Sequence, residues 1–214
     1  MSSKPEGPIH FGPFEVTTQV FMTTPHSFAL VNIKPLIPGH VLVVPHKPYK
    51  RLTDLSPPEL TDLFSTVQRV QRMLARHYFT SPASTSDADQ KKQSRQQQPA
   101  PAGTPEAGSF NIAIQDGTEA GQTVPHLHVH VIPRIRGATA KQGDGPGDAI
   151  YELMAAEAGN VGGGFWDRWA AEVGRPVPGG RFDRIEDAER QARSLAEMED
   201  EAEVFRRVLA ELEG

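Results

Sequence analysis

The run His126-Leu-His-Val-His-Val131 alternates an imidazole with an aliphatic side chain at every step. On a β-strand successive side chains point to opposite faces, so His126, His128 and His130 share one face while Leu127, Val129 and Val131 take the other. The aliphatic face needs a core to pack on. The imidazole face is a row of groups that change charge near neutral pH. A strand is expected over His126–Pro133, after a turn at Gln115-Asp-Gly-Thr-Glu-Ala-Gly121, so the chain must supply a sheet for it to join.

Partners for that strand are legible elsewhere. Phe14–Val20 and Phe28–Ile33 are rich in β-branched and aromatic residues, with turn formers Thr24-Pro-His-Ser27 between them. His40-Val-Leu-Val-Val-Pro45 follows the turn dipeptide Pro38-Gly39, and Phe110–Ile114 alternates. Ser56-Pro-Pro-Glu59 has the pattern of a capping box, Ser at the N-cap and Glu three residues on. Leu60, Leu63, Phe64, Val67, Val70, Met73 and Leu74 then recur at helical spacing, predicting an amphipathic helix to about Tyr78. A second long helix is expected from Arg184 to Glu213, with Ile185, Leu195, Met198, Ala202, Phe205, Val208, Leu209 and Leu212 on one stripe. A short helix is expected near Ala149–Ala156.

Composition says which parts are not core. The 214 residues are 37% hydrophobic and carry 19 Gly and 19 Pro. Residues 81–109 are Ser, Thr, Gln, Ala, Pro and Lys with almost no apolar side chain, a segment that cannot bury enough surface to offset its ordering entropy. It reads as a disordered insertion in a single domain over residues 1–214, because strand-like sequence resumes at once after it. Residues 138–183 read as a glycine-rich extension. Gly143, Gly145 and Gly147 are not a dinucleotide-binding fingerprint, since no strand precedes them and no sustained helix follows.

The net charge of −5 argues against bulk binding to nucleic acid or an anionic membrane, both of which reward excess Lys and Arg. The absence of cysteine excludes a disulfide scaffold, a Cys-ligated zinc and a thiol nucleophile. No window is apolar enough for a membrane span, and the first residues lack a secretory signal. An intracellular protein is expected, in the cytoplasm with the nucleus left open.

Chemistry leaves two uses for the histidine row. His10, His26, His46 and His77 each read as ordinary hydrogen-bonded histidines, but three in strict alternation point to a site. A metal would need ring nitrogens about 2.0–2.1 Å from one ion, which an i, i+2 pair can offer. The outer two α-carbons lie roughly 13 Å apart at strand rise, so a third ligand joins with difficulty. The other use is at a phosphate, where imidazole serves as nucleophile, acid or charge stabiliser. Gly121-Gln122-Thr123-Val124 favours the second, offering a glycine for close backbone approach, an amide and a hydroxyl.

His126-Leu-His-Val-His-Val131 resembles the signature of the histidine triad superfamily. Ser27-Phe-Ala-Leu-Val-Asn32, Lys34-Pro-Leu-Ile-Pro-Gly-His40-Val-Leu-Val43, Gln115-Asp-Gly117 and Glu119-Ala-Gly-Gln-Thr123 resemble its fragile histidine triad branch, the dinucleoside polyphosphate hydrolases. The likeness covers roughly Phe11–Tyr78 and Phe110–Arg134, and is weaker at Ala149–Leu153 and in the last helix. With the elements above it predicts an α+β domain on an antiparallel sheet of about five strands, a long helix packed on it and a C-terminal helix beyond.

The resemblance implies nucleotidyl transfer through His128 as nucleophile, chiefly splitting diadenosine triphosphate into AMP and ADP. It implies that His130 contacts the reacting phosphate and bridging oxygen, and that His126 and His40 orient and polarise the site. It places Asn32 at the ribose hydroxyls, Gln115, Gly121, Gln122, Thr123 and Val124 at the phosphates, and Phe11 and Leu30 at the base. Magnesium or manganese comes with the substrate, no metal is held by the protein, and homodimers form by extending the sheet. The insertion and Pro13-Phe14 depart from the family pattern. Two alternatives are a nucleoside phosphoramidase, a branch that usually has Asn-Glu where Gln115-Asp116 stand, and a slow-turnover nucleotide-binding signalling protein. Tyr151 matches a regulatory position of some relatives and equally suits an ordinary helix residue.

Overall fold

Ser27-Phe-Ala-Leu-Val31 and Val41-Leu-Val-Val-Pro45 are buried along their whole length and form β4 and β5, the middle of a five-stranded antiparallel sheet. The computed structural model describes residues 7–80, 100–136, 138, 139 and 192–214. With β3 (Val20–Thr23), β6 (Ser109–Ile114) and β7 (Val129–Arg134), the order across the sheet is β3-β4-β5-β7-β6. The register sets the two faces. Leu30 pairs with Leu42, Leu42 with His130 and His130 with Ala113, so these four share one face. Val31, Val41, Val131 and Ile112 line up in the same way on the other.

The valine face is covered by α1 (Pro57–Tyr78), which begins in the expected capping box: Ser56 N–H and Oγ–H donate to Glu59 Oε2 at 3.0 and 2.6 Å. Leu63, Val67, Val70, Met73 and Leu74 are buried, whereas Leu60 and Phe64, expected in the same stripe, are each 38% exposed. The stripe is narrower than the spacing suggested. At the end of α1, Phe79 packs on Phe110 of β6 with ring centres 5.1 Å apart, and the Tyr78 ring closes over Gly39, where a β-carbon would come within 2.5 Å of it.

The second helix, α2 (Leu195–Glu213), starts later than the expected Arg184, because Ser194 is its N-cap: Oγ accepts from Glu197 N–H while the Glu197 carboxylate takes the Ser194 N–H. Met198, Ala202, Phe205 and Leu209 are buried, and Leu195 and Leu212 are exposed. Phe205 joins α2 to the sheet and to α1, meeting Phe21 at 5.2 Å and His77 at 5.8 Å between ring centres. Ile185, the helix expected near Ala149–Ala156, Tyr151 and nearly all of the glycine-rich extension lie outside the described residues, as do residues 81–99. The part of the expected insertion that is described, residues 100–109, is packed: Gly103 N–H donates to Phe79 O at 2.8 Å, and a turn of 3-10 helix at Pro105–Ala107 leads into β6.

Two expected strands are corrected. Phe14–Val20 is broken into β2 (Phe14–Glu15), which forms a hairpin with β1 (His10–Phe11), and a 3-10 turn at Thr17–Gln19 before β3 begins. The cause is local hydrogen bonding: Val16 N–H reaches Ile9 O, Gln19 N–H reaches Val16 O, and Ile9 N–H donates to Thr17 Oγ1, each at 2.9 Å. The triad strand starts at Val129, not at His126, since His126 N–H turns to Val124 O and Leu127 N–H to Tyr49 O.

Candidate active site

His130 sits in β7 between Leu42 and Ala113, while His126 and His128 approach the strand along a wall made by residues 45–50. Three main-chain carbonyls of that wall hold the approach. His126 Nε2–H donates to Pro45 O at 2.8 Å, Leu127 N–H to Tyr49 O at 2.6 Å, and the Gln122 amide to Lys50 O at 3.0 Å. His40 precedes β5 and faces His130, with ring centres 5.2 Å apart. All four histidines are buried.

The hydrogen-bond network fixes which nitrogen of each ring carries the proton. Leu36 N–H donates to His40 Nδ1 at 3.2 Å, so neutral His40 carries its proton on Nε2 and gives it to His130 Nδ1 at 2.9 Å. His130 therefore carries its own proton on Nε2. Gly12 N–H donates to His126 Nδ1 at 3.0 Å, which leaves His126 Nε2–H for Pro45 O. His128 Nδ1–H donates to His126 O at 2.8 Å, so its Nε2 holds a free lone pair.

Two buried side-chain nitrogens, His128 Nε2 and His130 Nε2, have no hydrogen-bond partner among the described residues. Buried polar atoms are nearly always paired, and each exception asks for a reason. Here one is a lone pair and the other an N–H, on rings whose centres lie 5.0 Å apart. A base beside a donor suits attack on an electrophile whose oxygen is gaining charge.

The rings are held neutral. Burial, ahead of any neighbour, pushes His40 from 6.5 down to about 3 and His128 to about 4, and lowers His126 and His130 as well. Positive charge on a neighbouring histidine adds to the effect at His40, His128 and His130. Phe11 supplies part of the apolar wall, edge-on to His128 at 5.2 Å and tilted against His126 at 5.6 Å between ring centres.

The other expected residues fall around this core. Asn32 follows β4 and is buried; its Oδ1 accepts Lys34 N–H at 3.1 Å, which turns its amide nitrogen toward His40, 3.4 Å from both ring nitrogens. Leu30 is fully buried on the His130 face, in register between Val20 and Leu42. Gly121, at φ +90°, lies under Gln115, whose amide nitrogen a β-carbon would approach to 2.9 Å. Thr123 and Val124 are buried beside them. Gln122 donates its side-chain amide to Lys50 O and its backbone N–H to Gly117 O, which braces the turn.

Gly12 and Leu36, whose backbone N–H groups set two tautomers, were not singled out from sequence. The turn formers Gly12-Pro13 and Pro35 to Gly39 mark their positions, but nothing local says where an N–H will point. Among the described residues no group of three or more His, Cys, Asp or Glu side chains converges as a metal site.

The HIT domain profile matches residues 13–137. The chain is 37% identical over 198 residues to a bis(5'-nucleosyl)-tetraphosphatase (asymmetrical) of Schizosaccharomyces pombe, covering 91% of each. It is 39% identical over 154 residues to a bis(5'-adenosyl)-triphosphatase of Saccharomyces cerevisiae, spanning 72% of this chain and 59% of that one. Among solved structures, the NitFhit protein of Caenorhabditis elegans superposes with a TM-score of 0.56 at 28% identity, covering 96% of this chain and 31% of that one. A diadenosine triphosphate hydrolase of Plasmodium falciparum gives the same TM-score at 24% identity over 99% of this chain and 90% of its own, a likeness of fold.

Proposed function

Since the chain belongs to the HIT-domain family, with dinucleoside polyphosphate hydrolases among its relatives, we infer that its buried histidines cleave such substrates by nucleotidyl transfer. The chain is a hydrolase of dinucleoside polyphosphates. The observation that carries the mechanism is the unpartnered lone pair of His128 Nε2 beside the unpartnered Nε2–H of His130.

His128 Nε2 attacks the α-phosphorus of the substrate, chiefly diadenosine triphosphate, and an N–P bond forms as the bridging P–O bond breaks. The leaving group is a nucleoside diphosphate, which departs as an anion and needs a hydrogen bond more than a proton; His130 Nε2–H supplies it. The nucleotidyl-imidazole is cationic, and its Nδ1–H stays on His126 O, 2.8 Å away, where the carbonyl dipole favours the charge. Water then attacks phosphorus, the N–P electron pair returns to Nε2, and the water proton leaves with the nucleoside monophosphate or to solvent. One difficult displacement becomes two easier ones. Asn32 binds ribose, Gln115 and the Gly121–Val124 turn bind phosphates, and Phe11 and Leu30 lie toward the base. Magnesium or manganese enters as part of the substrate. Among the described residues β6 is the last strand of the sheet, and Ile112 in it is 40% exposed, which supports a homodimer built by sheet extension.

The test is to incubate the protein and magnesium with diadenosine triphosphate, diadenosine tetraphosphate and an adenosine phosphoramidate, resolve the products, and trap the intermediate by alkaline denaturation and mass spectrometry, since an N–P bond to imidazole hydrolyses in acid. AMP with ADP, and an adenylyl group on His128, are expected. No AMP from either dinucleotide would overturn the reading, and turnover of the phosphoramidate alone would replace it with phosphoramidase activity.

A further inference from the structure

Arg193 lies just ahead of α2 and far from the triad in sequence, yet it is bound to the turn that carries Asn32 and His40. Its Nε donates to Asn32 O at 3.1 Å, and Nη2 donates to the same oxygen. Its backbone N–H donates to Ile33 O at 3.0 Å, and Nη1 pairs with Glu201 of α2 at 2.8 Å. Both side chains of that pair are largely buried, with about a fifth of each exposed. The turn so held contains Lys34 N–H, which orients the Asn32 amide, and Leu36 N–H, which sets the His40 tautomer.

We propose that Arg193 is a positioning residue of the active site, holding the Asn32–His40 turn so that Leu36 keeps His40 in the tautomer that turns the His130 Nε2–H toward the substrate. The chain of contacts is continuous: Arg193 on Asn32 O, Leu36 N–H on His40 Nδ1, His40 Nε2–H on His130 Nδ1, and the free Nε2–H of His130 at the end. A planar fork that puts two donors on one carbonyl while its third nitrogen pairs with the charge of a carboxylate is a geometry that arginine supplies and lysine does not. Among the described residues the charged and titratable groups around His40 are His130 in β7, His128 before it, Arg193 with its counter-charge Glu201, and Tyr78, whose ring lies on Gly39. The arginine charge disfavours protonation of His40, in the same sense as burial and His128. α2 thereby becomes part of the active-site framework through its Glu201.

The kinetic arm of the test rests on the hydrolase reading; a second arm does not. In the Arg193→Ala variant, kcat and kcat/KM on diadenosine triphosphate are expected to fall together by about 10–100-fold, as for other residues that orient a reacting group. The Arg193→Lys variant keeps the charge without the fork and is expected to recover less than half of that loss. Independently of activity, imidazole 15N spectra of histidine-labelled protein should show His130 as the Nε2–H tautomer in the wild type and as a mixture of tautomers in Arg193→Ala. If Arg193→Ala does not fold, Arg193→Lys and Arg193→Gln give the same two readouts. Unchanged tautomers with kcat within about twofold of wild type, whatever happens to the melting temperature, would overturn the proposal. An inactive wild type would count against the hydrolase reading alone, since the spectra still decide the role of Arg193.

Discussion

His40 Nε2 lies 2.9 Å from His130 Nδ1, and the proton between them belongs to His40 because Leu36 N–H occupies its other nitrogen. In the proposed mechanism His40 acts on the substrate through His130. Removing the donor itself, as His130→Ala, is expected to lower kcat by about 10²–10³-fold, the usual cost of losing one preorganised hydrogen bond to developing charge. The His40→Phe variant keeps the ring but not the proton, and about 10–100-fold is expected. Steady-state kinetics on diadenosine triphosphate separate the two; equal losses would mean that His40 contacts the substrate directly.

In the proposed mechanism the attacking lone pair is that of His128 Nε2. The His128→Asn variant should lose about 10⁶-fold in kcat and form no alkali-stable nucleotidyl-enzyme, while still binding a non-hydrolysable dinucleotide. Mass spectrometry of quenched reactions checks the first part and calorimetric titration the second.

The depressed histidine pKa values set two pH dependences. Substrate attack requires neutral His128, whose pKa of about 4 lies well below the ordinary 6.5, so kcat/KM should remain level through pH 6.5 and decline only as the pH nears 4. A dinucleoside triphosphate has no weakly acidic phosphate hydroxyl to obscure this. Stability behaves differently. Between 6.5 and the folded values of about 3 to 4 for His40 and His128, the unfolded chain binds protons that the native chain refuses, so stability falls as pH drops across that window. Below the folded values these groups contribute no further loss. Urea midpoints between pH 7 and 4 should decrease steadily while initial rates above the unfolding region do not.

Gly12 has φ +56°, and a β-carbon there would stand 2.5 Å from Val124 Cγ1. Gly12→Ala is expected to cost about 1–3 kcal/mol from backbone strain, with the clash adding to it. The shift should also loosen the N–H that holds His126 Nδ1. Thermal melts and activity should fall together; a variant that melts lower but turns over at the wild-type rate would show that His126 is held adequately by Pro45 alone.

Much of the scaffold was legible because its signals are local. The capping box at Ser56 and Glu59, the buried runs of β4 and β5, and the alternation through Val131 each carry their own cause in adjacent residues. The stretches that differ answer to partners outside themselves. The segment after Phe14 turns because Ile9 and Thr17 bind each other, and the triad strand begins late because Leu127 is claimed by Tyr49. The imidazoles were visible as a row, but their tautomers depend on Gly12, Leu36 and Pro45, which sit far from the triad in sequence. Arg193 left no mark in the sequence near the site, since its contacts span 161 positions.

The wall beside the triad acts through the carbonyl oxygens of Pro45, Tyr49 and Lys50, and every residue type has a carbonyl. The side chain of Lys50 makes none of these three contacts, whereas Lys47 and Tyr49 are both held by Glu59 of α1. The length of the wall is not free. Deleting Pro48 would shift the Tyr49 and Lys50 carbonyls relative to that of Pro45 and put them out of step with their donors, so the length of this stretch is fixed even where a side chain is not.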